Sequence, residues 1–111
     1  MISTSSAQKY EWGEKCLGWH LVNTPSLSVI QEKMPPATSE KKHKHSKSQQ
    51  FFFILNGEAT FDLEGIKEIV QKGEGIHIMA GQGHRVSNEG KTDLEFLVIS
   101  QPHSHGDRID L

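Results

Sequence analysis

A chain of 111 residues with a formal net charge of −2 and 34% hydrophobic residues has room for one small core and none for a second catalytic domain. The balanced charge gives no basic field over the molecule, so nucleic acid is not an expected partner. There is no run of 18 apolar residues, and Met1–Ser6 lacks the charged and apolar regions of a leader, so no membrane is expected and the cytoplasm is the expected compartment. The single cysteine, Cys16, excludes an intrachain disulfide and a cysteine-based zinc cluster; beside Leu17, Gly18 and Trp19 it reads as a small buried residue.

In chain order, residues 1–8 read as a flexible polar end, 9–102 as the folded domain and 103–111 as a C-terminal tail. Trp19–Val22 is the first expected strand, and Asn23-Thr24-Pro25-Ser26 a turn. Leu27–Met34 reads as a strand that Pro35-Pro36 ends by withholding ladder donors. On it, Gln31 and Lys33 are the polar candidates for reaching an interior, with solvation as their default. The histidine stretch and Phe51–Leu55 lead to Asn56-Gly57, a hairpin signal. Ala59, Phe61 and Leu63 alternate with polar residues as in a half-buried strand, Gly65 turns the chain, and Ile66–Val70 returns with partial burial. Ile76–Met79, His84–Asn88 and Leu94–Ser100 complete the set. Turns every 8 to 12 residues and no helical period predict an all-β sandwich or closed barrel.

The candidate site is Lys42-His43-Lys44-His45, with Gln50 on the next strand. Residues two apart on a strand face one side, roughly 6.5 to 7 Å between Cα atoms, so His43 and His45 can converge on one ion while Lys44 points away. The same residues, ringed by Lys41, Lys42, Lys44 and Lys47, also fit a solvated basic loop. Other histidines have plainer readings: His20 as a packing residue, His77 as a surface residue, and His103 and His105 as part of the tail, which can close over a barrel mouth or bind stray metal. Of Phe51, Phe52 and Phe53, at least one ring must face inward and one outward; outward aromatic surface on so small a domain predicts a homodimer.

Two motifs make the chain resemble the cupin family. The first is a glycine, five residues, His-x-His, three or four residues, Glu, six residues and Gly; here it stands as Ala37, His43-Lys44-His45, Gln50 and Gly57. The second is Gly, five residues, Pro-x-Gly, two residues, His, three residues and Asn, here Gly73, Met79-Ala80-Gly81, His84 and Asn88. The resemblance implies an all-β, single-domain double-stranded β-helix, or jelly-roll barrel, with a divalent transition metal (Zn, Ni, Fe, Mn or Cu) held by His43, His45, Gln50 and His84. A histidine from a distant strand would complete a three-imidazole face and leave positions open for water or ligand.

The departures carry information. Ala37 for glycine and Met79 for proline alter loop stiffness, whereas Gln50 for glutamate changes the charge of the site. A neutral amide leaves the ion its full double charge, which predicts weaker metal retention, preference for anionic ligands and poor support of a trivalent state. Gln50 cannot serve as a base, and it competes with a reading in which it only hydrogen-bonds the barrel wall, with Gln49 as its neighbouring rival. The family's dioxygenases, isomerases, decarboxylases and lyases imply an enzyme acting on an anionic or polyhydroxylated small molecule by Lewis-acid or oxygenase chemistry. The alternative is a non-catalytic cupin that binds or senses a sugar or carboxylate.

Overall fold

The computed structural model describes residues 1–111 as strands and turns without a helix, so no helix is long and apolar enough to cross a membrane. The strands are β1 (Gln8–Trp12), β2 (Cys16–Asn23), β3 (Ser28–Met34), β4 (Thr38–Ser39), β5 (His43–His45), β6 (Gln49–Asn56), β7 (Glu58–Leu63), β8 (Ile66–Gln71), β9 (Gly75–Ile78), β10 (His84–Asn88), β11 (Leu94–Gln101) and β12 (Arg108–Asp110). They form two antiparallel sheets, ordered β1-β2-β3-β11-β6-β9 and β12-β5-β10-β7-β8, with β4 added beside β10. This is the jelly-roll barrel, in which each strand turns alternate side chains toward the opposite sheet.

Period-two burial shows why these residues take this form. On β6, Gln50, Phe52 and Ile54 are buried while Gln49 and Phe51 are exposed. On β11, Leu94, Phe96, Val98 and Ser100 are buried and their neighbours are not. Phe52, Phe61 and Phe96 meet in the core, with centroids 5.1 Å apart for Phe52–Phe61 and 5.5 Å for Phe52–Phe96. Gly57 makes the β6–β7 turn at φ +80, and a Cβ there would lie 2.6 Å from the Asp93 carbonyl oxygen, so both conformation and space demand glycine.

The expected strands from Leu27 onward are present within a residue or two, and His84–Asn88 has the expected bounds. Both ends differ. β1 is an additional edge strand before the first expected one, and β2 extends that one in both directions. Residues 108–110, within the expected tail, pair with the histidine strand: Arg108 opposite His45, Ile109 opposite Lys44 and Asp110 opposite His43. Thr60 is also buried, against the simple alternation expected of β7, because β7 lies between β10 and β8 and its outer face shares a recess with Lys67 and Arg85.

Candidate metal centre

His43 and His45 project from β5, and His84 projects from β10, where it stands directly opposite His43 in the ladder. All three are buried, and their candidate ligand atoms lie within 4.8 Å of one another. Two nitrogens on neighbouring positions of one ion at about 2.0 to 2.1 Å sit about 3 to 3.5 Å apart, so small side-chain rotations gather the three around a cation.

The backbone fixes how two of the rings present themselves. His43 Nδ1 donates to the Lys41 carbonyl at 2.8 Å, and His84 Nδ1 donates to the Gln82 carbonyl at 2.9 Å. Each hydrogen bond places the proton on Nδ1 and leaves the Nε2 lone pair free, the tautomer a metal needs. His84 Nε2 is buried without a partner. Burial pushes the His43 and His45 rings down to about 4, and the hydrogen bond from His43 to Lys41 only partly offsets this. Burial also lowers His84. The cluster is neutral at physiological pH, as ligation requires.

Gln50 enters from the opposite sheet. Its amide Nε2 donates to the Ser100 hydroxyl at 3.0 Å, while its Oε1 is buried without a partner. Satisfied on its nitrogen side, the amide keeps an orphaned acceptor beside the histidines, a costly arrangement unless something occupies it. Gln49 faces outward and accepts from His77 Nε2 at 2.9 Å, so it is no rival for an interior ion. His20 packs against Tyr10 with ring centroids 4.9 Å apart, in keeping with its expected role.

A cavity of about 340 Å³ opens from the histidines to the barrel mouth. Its walls also carry four titratable groups that lie outside the fixed positions of the two motifs: Tyr10, Glu32, Glu40 and Arg108. Glu32 corrects the expectation for β3. Ser28, Ile30 and Met34 turn inward, so Glu32, of the same parity, reaches the cavity; Lys33 faces out and pairs with Asp93 at 3.5 Å. Tyr10, Gly18 and Glu32 form one row across β1, β2 and β3. A Cβ on Gly18 would lie 2.2 Å from the tyrosine ring, so the missing side chain is what lets Tyr10 lie across the row beside Glu32. Burial, reinforced by Glu40, raises Glu32 to about 8; burial also raises Glu40 to about 7, against the pull of the Val86 amide it accepts from. The parity of Ile30 and Met34 is the signal in the sequence that pointed to Glu32.

The cupin domain family Cupin_2 matches residues 30–100. The chain belongs to the cupin family. Among curated relatives, this cupin is 36% identical over 67 residues to an oxalate-binding protein of Thermotoga maritima, an overlap of 60% of this chain and 55% of that one. It is 32% identical over 81 residues to an uncharacterized protein of Methanocaldococcus jannaschii, covering 72% and 65%. The chain thus spans 55% and 65% of the length of these two relatives. A solved Thermotoga maritima structure, described as a predicted oxalate decarboxylase, superposes with a TM-score of 0.85 at 24% identity, covering 93% of this chain and 99% of the other, which establishes the shared fold.

Proposed function

We propose that this cupin binds a divalent transition metal through His43, His45, His84 and the Gln50 carbonyl, and uses it to hold and polarise a small anionic ligand. The observation that carries the reading is the grouping of three neutral buried imidazoles, two of which line the cavity together with an amide whose oxygen is orphaned. When bound, the ion would act as a Lewis acid on ligand oxygens. With no carboxylate among its ligands it keeps a double charge, which favours an anion, and the oxalate-binding name of the Thermotoga relative supports a small carboxylate.

The chain's own residues divide the remaining work. Val98, Ile30 and Phe52 give the cavity its apolar wall, while Tyr10 and Glu32 face the interior together. In the metal-free cavity the raised Glu32 carboxyl retains much of its proton near neutral pH, and with an ion bound, which favours the carboxylate, it can collect one at its carboxyl oxygen. This pair supports an enzymatic over a purely binding role, because simple ligation does not call for a proton-transfer group. Phe51 and Phe53 stack on the outer face of β6 with centroids 6.4 Å apart, which supports a homodimer; light scattering should give twice the chain mass.

Elemental analysis of protein purified without an affinity tag tests the metal: stoichiometric Zn, Ni, Fe, Mn or Cu is expected, and no ion in either isolated or reconstituted protein would sink the reading. Gln50→Glu should tighten metal binding at least tenfold, since it restores a charged ligand. Unchanged affinity would remove Gln50 from the ligand set.

A further inference from the structure

Arg108 lies outside the residues matched by the family and is the only lysine or arginine lining the cavity. It reaches the mouth on β12, directly opposite His45 in the ladder. We propose that Arg108 is the second anchor of the ligand, its guanidinium taking one carboxylate of a small dicarboxylate whose other oxygens lie at the histidine cluster. The inference rests on the metal-dependent anion binding proposed above.

The placement of Arg108 is built. Gly106, at φ +77, turns the chain back toward the barrel. The Asp107 carboxylate accepts from the amides of Ser46, Lys47 and Ser48 and from the Ser46 hydroxyl, which ties the segment to the loop between β5 and β6. Burial disfavours its charge, but these hydrogen bonds prevail and hold the carboxyl at about 2, so the tie persists throughout the physiological range. Beyond Arg108, the Leu111 amide donates to the Lys42 carbonyl at 2.9 Å. The arginine therefore stands between two fixed points.

Its donors are only partly used. Nε donates to Asp110 at 2.8 Å and Nη2 to the Lys41 carbonyl at 3.4 Å, leaving the rest of the fork available for bidentate carboxylate recognition. A guanidinium beside a divalent ion repels it, and an anion bridging the two removes that repulsion. Metal and anion should therefore strengthen each other's binding reciprocally.

If Arg108 acted through its charge alone, balancing Glu32 and Glu40, Arg108→Lys would keep the anion affinity of the wild type, so calorimetry on Arg108→Gln and Arg108→Lys together separates the two roles. Wild-type and variant proteins are titrated first with Zn²⁺ or Mn²⁺ alone, and the loaded proteins then with oxalate, malonate and succinate. The expected result separates the two affinities: metal alone binds the variant equally or a few-fold more tightly, while dicarboxylate affinity falls at least tenfold. Arg108→Lys, a point charge without the fork, should fall between, and Trp12 fluorescence offers a second readout because that ring lines the same cavity. Equal dicarboxylate affinity in wild type and Arg108→Gln would overturn the anchor and leave the metal reading standing. Loaded wild type that binds none of the three would likewise overturn the anchor alone, whereas wild type that binds neither ion would sink both.

Discussion

At the scale of single residues, the informative positions are those where the chain departs from its family's pattern or omits a side chain. Ala37 occupies the place of the family's glycine, and the reason for glycine is visible in its backbone: Ala37 holds φ 64, a left-handed conformation that crowds any Cβ. The exposed alanine loses no packing on change to glycine, so Ala37→Gly should stabilise the protein by about 0.5 to 1 kcal/mol, the relief of strain exceeding the added unfolded-state entropy. Chemical denaturation checks this, and a loss of stability would contradict it. Gly18 is the converse case. Gly18→Ala drives a methyl group into the Tyr10 ring, so it should cost about 1 to 3 kcal/mol and displace Tyr10 from Glu32. A thermal melt identical to wild type would show that Tyr10 does not lie over Gly18 in solution.

At the scale of elements, legibility followed the strength of the local pattern. β10 is legible to the residue because His84–Asn88 stands between a glycine-rich loop and the Glu89-Gly90-Lys91-Thr92 turn. β6 and the Gly57 turn were equally plain, since alternation and hairpin chemistry agree there. β1 and β12 are not legible because their sequences, Gln8-Lys9-Tyr10-Glu11-Trp12 and Arg108-Ile109-Asp110, are short and polar, and β12 owes its form to a strand far back along the chain. The same limit hid half of the site. His43, His45, Gln50 and His84 sit in motifs with fixed spacing, whereas Tyr10, Glu32, Glu40 and Arg108 share nothing in sequence: pairing of β1, β2 and β3 puts Tyr10 beside Glu32, and closure of the two sheets brings that pair to Arg108. Glu32 was recoverable: Ile30 and Met34 already fixed the inward parity of β3, and a charged residue between them marks an interior group. Arg108 was not, because its register depends on the Asp107 tie to Ser46, 61 residues away in sequence. Asp107→Ala should therefore loosen β12 and weaken dicarboxylate binding in the same direction as Arg108→Gln, while leaving metal affinity in place. A full-strength dicarboxylate titration in Asp107→Ala would show that the ladder alone positions the arginine.

For the molecule as a whole, placing acids and histidines in one buried cavity makes stability a two-sided function of pH. Burial, followed by repulsion from Glu40, raises Glu32 from 4.5 to about 8, and burial raises Glu40 to about 7. An unfolded chain ionises both near 4.5, so between that pH and about 8 the folded state binds more protons and stability falls as pH rises. The histidines act in the other direction. Burial holds His43 and His45 at about 4 against an ordinary 6.5, so from 6.5 down to 4 the unfolded state binds more protons and stability falls as pH drops. The two slopes oppose each other between them, and metal-free protein should melt highest in a band at about pH 5 to 6.5. Glu32→Gln removes one raised carboxyl and should flatten the alkaline limb while leaving the acid limb in place. A divalent ion in the cavity should flatten the alkaline limb too, because its charge favours the ionised carboxylates, and should steepen the acid limb, because protons then compete with metal for the imidazoles. Melting curves of metal-free and loaded protein from pH 4 to 9 test both, and an alkaline limb that is identical in wild type and Glu32→Gln would place the responsible proton elsewhere.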